Sequence, residues 1–295
     1  MKIQNGSSRA YRIFSIVVLV ILAFLFLFPL YWIVTGAFKN GADINNPQPV
    51  WFPTEWVSTN FEKLFAKRSA PLFSVGDAIV GPTVPAAIRW LVNTVFMSVM
   101  AMLLTCLTAA MAGYSLAKKR FAGRGIMFSL IVCAMALPKQ VILIPLLKEM
   151  AALDLYGTLW AVIFPTVGWP FGVFLMKQFS ESIPGEILEA ARVDGSSEFR
   201  TFSTIVVPIV KPGIGALAIF TFINSWNDYF MQLVMLTSGS NNTIALGIAT
   251  LQNGTTVDMG LLMAGAALAS VPIIIVFLIF QKYFTQGITM GAVKG

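Results

Sequence analysis

Asp228 is the one acid set well inside an apolar run, and its neighbours Asn224, Ser225, Trp226, Asn227, Tyr229 and Gln232 are polar or amphipathic. A lipid-exposed carboxylate costs about 2.5–3.5 kcal/mol on insertion scales, so this group has to face protein or water. On a continuous helix, 100° per residue places Asn224, Asp228 and Gln232 on one face, with Ser225 and Asn227 flanking it. Three uses of that stripe compete. Amides, a carboxylate and aromatic rings could line a path for a hydroxyl-rich solute. Interhelical hydrogen bonds could hold a neighbouring membrane subunit, or pack this chain's own helices. Asn93 and Thr94, in another apolar run, read as packing. A second concentration of charge lies at 178–213, which holds five of the 13 acids: Glu181, Glu186, Glu189, Asp194 and Glu198.

Other chemistries are excluded. The chain has no histidine, so histidine-ligated zinc or haem and any Ser-His-Asp or Cys-His site are ruled out. Cys106 and Cys133 sit in apolar runs without a CxxC motif and read as reduced packing residues. There is no GxxxxGK[ST] phosphate loop to hold Mg–ATP. No metal site and no bound cofactor are expected.

The elements that position these residues are membrane spans. Of 295 residues, 57% are hydrophobic and 11% charged, against roughly 25% charged in an ordinary soluble domain. Mean hydropathy is +0.79. A spanning helix needs about 20 mostly apolar residues. Six such runs occur, at 13–38, 90–117, 125–147, 159–176, 214–236 and 261–284. The first is too long for a signal-peptide core and reads as a retained anchor. The expected fold is an all-α integral membrane protein of six transmembrane helices. Its single membrane domain covers 13–285, between a cytoplasmic N-terminus (1–12) and a cytoplasmic tail (286–295).

Charge orients it. With the N-terminus inside, 13 of the 20 basic residues fall on the cytoplasmic side together with five acids, a net of +8. The other seven basic and eight acidic residues give −1. Basic residues collect on the cytoplasmic side, so both termini are expected inside. A pI near 9.5 would suggest nucleic acid in a soluble protein, but no basic run interleaved with aromatics occurs and that partner is set aside.

Three connecting segments stand out. The outer loop 39–89 is rich in Pro and aromatics (Pro47, Pro49, Trp51, Phe52, Pro53, Trp56, Phe61), which favours an interfacial aromatic belt over a docking surface. The outer loop 237–260 has no Lys or Arg and carries Asn241, Asn242, Thr243, Gln252 and Asn253. In the cytoplasmic loop 178–213, Ser182 can cap a helix, Pro184 suits its first turn and Gly195 suits its C′ position. A second helix starts at Ser196-Ser197-Glu198 and is expected to end before Pro208. The pattern is a helix–turn–helix outside the bilayer.

Within it, Glu189-Ala190-Ala191, then Gly195, Ile205 and Pro208 reproduce the spacing EAA-x3-G-x9-I-x-x-P. That resembles the signature of the permease subunits of binding-protein-dependent ABC importers, with Val207 where such families usually have Leu. Further segments resemble carbohydrate-importer permeases of the maltose type. They are Pro47 to Pro53 with Asn60-Phe61, Gly113-Tyr114-Ser115-Leu116-Ala117, Leu153-Asp154 through Gly157-Thr158, Trp169 to Gly172, Trp226 to Tyr229, and Gly287 to Gly295.

The resemblance implies a type I importer permease in a bacterial cytoplasmic membrane. It implies four kinds of partner: a second, different permease, two ATPase subunits that use the Mg–ATP, an extracytoplasmic solute-binding protein, and a sugar. Glu189, Ala190, Ala191, Asp194, Gly195, Ile205 and Pro208 would form the loop that couples to the ATPase. Gly291, Lys294 and Gly295 of the tail would contact it as well. Asn224, Trp226, Asn227, Asp228, Tyr229 and Gln232 remain the candidate substrate path or permease interface. The chain itself would not be an enzyme. The alternatives are an importer permease for a non-sugar solute, or a stand-alone secondary transporter. The latter leaves the EAA spacing unexplained and often shows inverted repeats; no convincing internal repeat is visible.

Overall fold

The computed structural model describes residues 5–75, 78–237, 239–252 and 257–292. The chain opens with α1 (Asn5–Ala37), α2 (Gly41–Ile44), α3 (Thr59–Ala66) and the antiparallel hairpin β1 (Ser69–Val75) and β2 (Ala78–Pro85). Then follow α4 (Ala86–Lys118), α5 (Arg124–Ala134), α6 (Lys139–Ala152), α7 (Trp160–Val167) and α8 (Pro170–Glu181). The second half holds α9 (Gly185–Val193), α10 (Glu198–Thr201), a π-helical stretch (Phe202–Val206), α11 (Val207–Ile209), α12 (Lys211–Asn227), α13 (Tyr229–Met235), α14 (Ile244–Thr250) and α15 (Met259–Ala292). Among the described residues the regular structure is helical apart from that hairpin. Among the described residues, four helical segments are long and apolar enough to cross a membrane, and up to six if each of two bent pairs is one span.

Several spans are not straight rods. The expected span 125–147 bends by 106° between Ala134 and Lys139. Pro138 explains this, because it disfavours helix at the residue before it and cannot donate into a preceding turn. The expected span 214–236 breaks at Asp228, whose φ and ψ are −77° and 63°. The loop 39–89, read from the sequence as outer, is structured by α2, α3 and the hairpin. The loop 237–260, also read as outer, holds α14, which folds back into the bundle with Ile244, Leu246, Gly247 and Ile248 buried. Segment 286–292, read from the sequence as tail, continues α15 as helix.

The helix α4 is the spine. Its first turns, with Trp90, join Ala37, Leu64, Phe222, Ile244 and Leu261 in one buried cluster. Its middle, at Met97 and Ala101, meets Val162, Ile163 and Met235. Its last turns, at Ala109, Ala110 and Tyr114, pack with Met176, Leu188, Phe202 and Leu217. Against that first layer, Gly36 of α1 lies on Met263 of α15. The C-terminal end of α1 thus meets the first turns of α15. The carboxylate of Asp258 accepts the Leu261 N–H at 3.0 Å and meets Lys63 Nζ at 3.4 Å. Burial pushes that carboxyl up, but the Leu261 N–H and the nearby lysines outweigh it and hold it below its usual value.

Gly113 permits a close backbone crossing of the spine. A Cβ there would lie 2.6 Å from backbone atoms of Met176 and Lys177 on α8. Gly125 of α5 has open space around it. Overpacking of this kind destabilises by about 1–3 kcal/mol. Gly113→Ala is expected to lower the melting temperature of the detergent-solubilised protein by several degrees, and Gly125→Ala to leave it unchanged or raised. Scanning fluorimetry of the two variants checks this.

Candidate functional site: a coupling elbow and a broken helix

The segment α9–α11 forms an elbow at the far end of α4. Its corner is closed by the backbone. Asp194 is the C-cap of α9, and Gly195 follows at φ +72°, a left-handed conformation that favours glycine. The Gly195 N–H bonds Arg192 O at 3.0 Å and the Ser196 N–H bonds Ala191 O at 2.9 Å, the two bonds of a Schellman turn. Ser197 then caps α10 through the Arg200 N–H. The start of the first helix differs from expectation. Ser182 ends α8, donating to Phe179 O at 2.7 Å, and Pro184 is the N-cap of α9 without a side-chain cap.

The second helix also runs past Pro208 to Ile209, instead of ending before it. The π-helical stretch Phe202–Val206 precedes that proline. Its wider turn moves the carbonyl of Thr204 out of the ring's way, which an ordinary helix would not.

The inner face of the elbow is fixed to α4 and α8. Phe202 packs on Tyr114 with ring centroids 5.8 Å apart. Lys118 Nζ donates to Ile183 O at 2.6 Å and Glu181 O at 3.1 Å, satisfying carbonyls at the end of α8. Lys119 pairs with Glu198. Among the elbow residues singled out from sequence, Ala191 is buried, Ile205 is half-buried, and Glu189, Ala190, Asp194, Gly195 and Pro208 are exposed. Sequence reasoning missed Val193 and Phe199, which stand 88% and 75% exposed at the corner. Their signal is two apolar side chains among Glu189, Arg192, Asp194, Glu198 and Arg200, where a solvated loop has no use for them.

The polar stripe of the fifth span is divided by the break. Asp228 Oδ1 accepts the Met231 N–H at 3.3 Å and caps α13. Its Oδ2 meets Lys139 Nζ at 3.0 Å, and that ammonium lies 3.4 Å from Asn224 Oδ1. Gln232, fully buried, turns the other way. Its amide donates to Ser225 O at 2.9 Å, and its Oε1 accepts the Thr243 hydroxyl at 2.6 Å. Gln232 and Trp226 are thus core residues. A cavity of about 690 Å³ is walled by Lys139, Trp169, Phe220, Asn224, Asn227 and Asp228, among others. Tyr229 faces a separate cavity of about 540 Å³ between α1, α12, α14 and α15, which Asn227 also reaches.

Asn93 and Thr94 hold the re-entrant segment. Asn93 Nδ2 donates to Asn242 O at 2.9 Å, and Thr94 Oγ1 accepts the Ile244 N–H at 2.8 Å. Gly291 lies in the last turn of α15, and Lys294 and Gly295 lie outside the described residues.

Residues 107–290 match the model of the binding-protein-dependent transport system inner membrane component. The chain belongs to that family. As a permease of this kind it is 33% identical over 276 residues to the arabinooligosaccharide transport system permease protein of Halalkalibacterium halodurans, a match covering 93% of each chain. It is 31% identical over 288 residues to the maltodextrin transport system permease protein of Bacillus subtilis, covering 96% of each. A chain of a solved bacterial ABC transporter, involved in the import of the acidic polysaccharide alginate, shares the permease's fold. The TM-score is 0.76 at 22% identity, over 96% of this chain and 100% of that one. The permease is a multi-pass membrane protein.

The seat of the elbow is testable by amide exchange. A charge-assisted hydrogen bond contributes about 1.5–3 kcal/mol. Lys118→Met is expected to raise exchange at residues 183–196 by about tenfold or more, and to leave the first turns of α4 unchanged. Mass-spectrometric exchange of the purified permease measures both.

Proposed function

We propose that this chain is one of two permease subunits of an ATP-driven importer. The importer takes up a sugar or oligosaccharide delivered by an extracytoplasmic binding protein. The permease sits in a bacterial cytoplasmic membrane with both termini inside. Two ATPase subunits dock on the α9–α11 elbow and do all the hydrolysis; like the relatives named as permeases, this subunit is a conduit and not a catalyst.

One observation carries the reading. The elbow offers Val193 and Phe199 outward while its inner face is locked to α4 and α8. A desolvated apolar anchor with a charged rim is the pattern of an interface centre. Motion of the docked subunit then reaches the spans by rigid-body transmission. The sidedness is supported by the charge asymmetry, +8 against −1. The substrate class is supported by the names of the relatives, and by the amides and rings that wall the larger cavity. A second permease follows from size, since six spans are too few to enclose an alternating-access path for an oligosaccharide.

The test uses the full transporter in proteoliposomes. Phe199→Asp is expected to cut co-purified ATPase by about tenfold or more, the equivalent of 1.4 kcal/mol or more. Gly195→Pro, which cannot hold the left-handed corner, and Glu189→Lys are expected to keep membrane insertion but separate ATP hydrolysis from uptake. Wild-type transport in both corner variants refutes the coupling role. Mass spectrometry of the ligand carried by the co-purified binding protein identifies the solute.

A further inference from the structure

Two interrupted spans meet at one ion pair. Lys139 is the first residue of α6, just past the 106° bend. Asp228 fills the gap between α12 and α13. Their contact at 3.0 Å therefore ties one break to the other. It also stands where two cavities adjoin. The space of about 690 Å³ and a neighbouring one of about 430 Å³ share Lys139, Trp169, Asn224 and Asp228 as walls.

Neither member of the pair is fully covered. The Lys139 side chain is 49% exposed and that of Asp228 20%. The geometry leaves each with unused capacity. The ammonium has three donors, and Asp228 and Asn224 engage two of them. The carboxylate holds one N–H and one ammonium and has further lone pairs. At the shared wall, then, a donor, an acceptor, an amide and an indole stand together with no net charge.

We propose that the Lys139–Asp228 pair is a charge filter, which makes this part of the path selective for neutral polyhydroxylated solutes over carboxylated ones. The inference rests on the sugar-importer reading and adds a specificity-determining pair to it. A hydroxyl can accept from Lys139 and donate to Asp228 without separating them. A solute carboxylate that takes the remaining donor of Lys139 comes to lie beside the fixed negative charge of Asp228, and that repulsion offsets the attraction. Removing the negative member alone leaves a cation at the wall and reverses the preference.

The experiment uses the assembled transporter in nanodiscs without its binding protein, so that the binding protein's own selectivity does not enter. Saturation-transfer NMR compares maltotriose with trigalacturonate as probes. The wild type is expected to favour maltotriose by about fivefold or more, and Asp228→Asn, nearly isosteric, to lose or invert that ratio. The double swap Lys139→Asp with Asp228→Lys is expected to restore it. An unchanged ratio in Asp228→Asn, a preference for trigalacturonate in the wild type, or no transfer from either probe overturns the filter. ATP-driven uptake of the binding protein's own ligand is measured on the same preparations in liposomes. Wild-type uptake with an unchanged ratio sinks the filter alone, whereas absent wild-type uptake sinks the importer reading itself.

Discussion

Hydrocarbon supplies no hydrogen bonds, so each backbone group freed inside the bilayer has to find its partner in protein or in a water-lined cavity. The rest of this structure follows from that constraint, because the chain interrupts its spans repeatedly. At the fifth-span break, Asp228 accepts the N–H of Met231 while Gln232 reaches back to the carbonyls of Ser225 and Trp226. At the re-entrant turn, Thr94 takes the N–H of Ile244 and Asn93 donates to Asn242. Where α8 ends, Lys118 covers two carbonyls. Polar side chains in an apolar chain are scarce, and these are spent at helix ends.

The same economy makes the elbow stiff. Its corner is closed by its own backbone, its apolar underside is buried on Tyr114 and Met176, and Lys118 and Lys119 join it to the end of α4. Gly113 brings α4 and α8 into backbone contact one turn from that joint. A push on Phe199 or Val193 has little slack to take up before it reaches the spine. The spine in turn carries the cluster around Met97 and the one around Trp90, so displacement at one end is felt along the whole of α4. Packed interfaces of this kind move as bodies and do not deform continuously.

Much of this was readable in the residues, and the misreadings have physical causes. Gly195 occupies the left-handed corner that its place after a run of helix formers implies. The segment Gly113 to Ala117 proves to be the seat of the elbow, and Gly157, with φ +81°, donates to Met235 O and so ties the loop after α6 to α13. The stripe Asn224, Asp228, Gln232 has a helical period, yet the helix stops there. A side-chain cap plus a buried amide outweighs a turn of propensity, and periodicity cannot register that. The run that became α14 is apolar but only seven residues long, so a length rule for spans passes over it. Val193 and Phe199 escaped because a spacing signature marks the corner of the elbow and not the side chains that point away from it.

On the coupling proposed above, the elbow and α4 are one rigid body through the transport cycle. Distances between spin labels at Glu186 and Met111, both exposed, test it directly in a transporter whose Cys106 and Cys133 have been replaced. Double electron–electron resonance is recorded with and without ATP and binding protein. A rigid elbow keeps that distance constant within about 2 Å, while the separation between a label at Glu186 and one on the ATPase's moving domain changes. A shift of the Glu186–Met111 distance by more than that, in step with nucleotide, would contradict it.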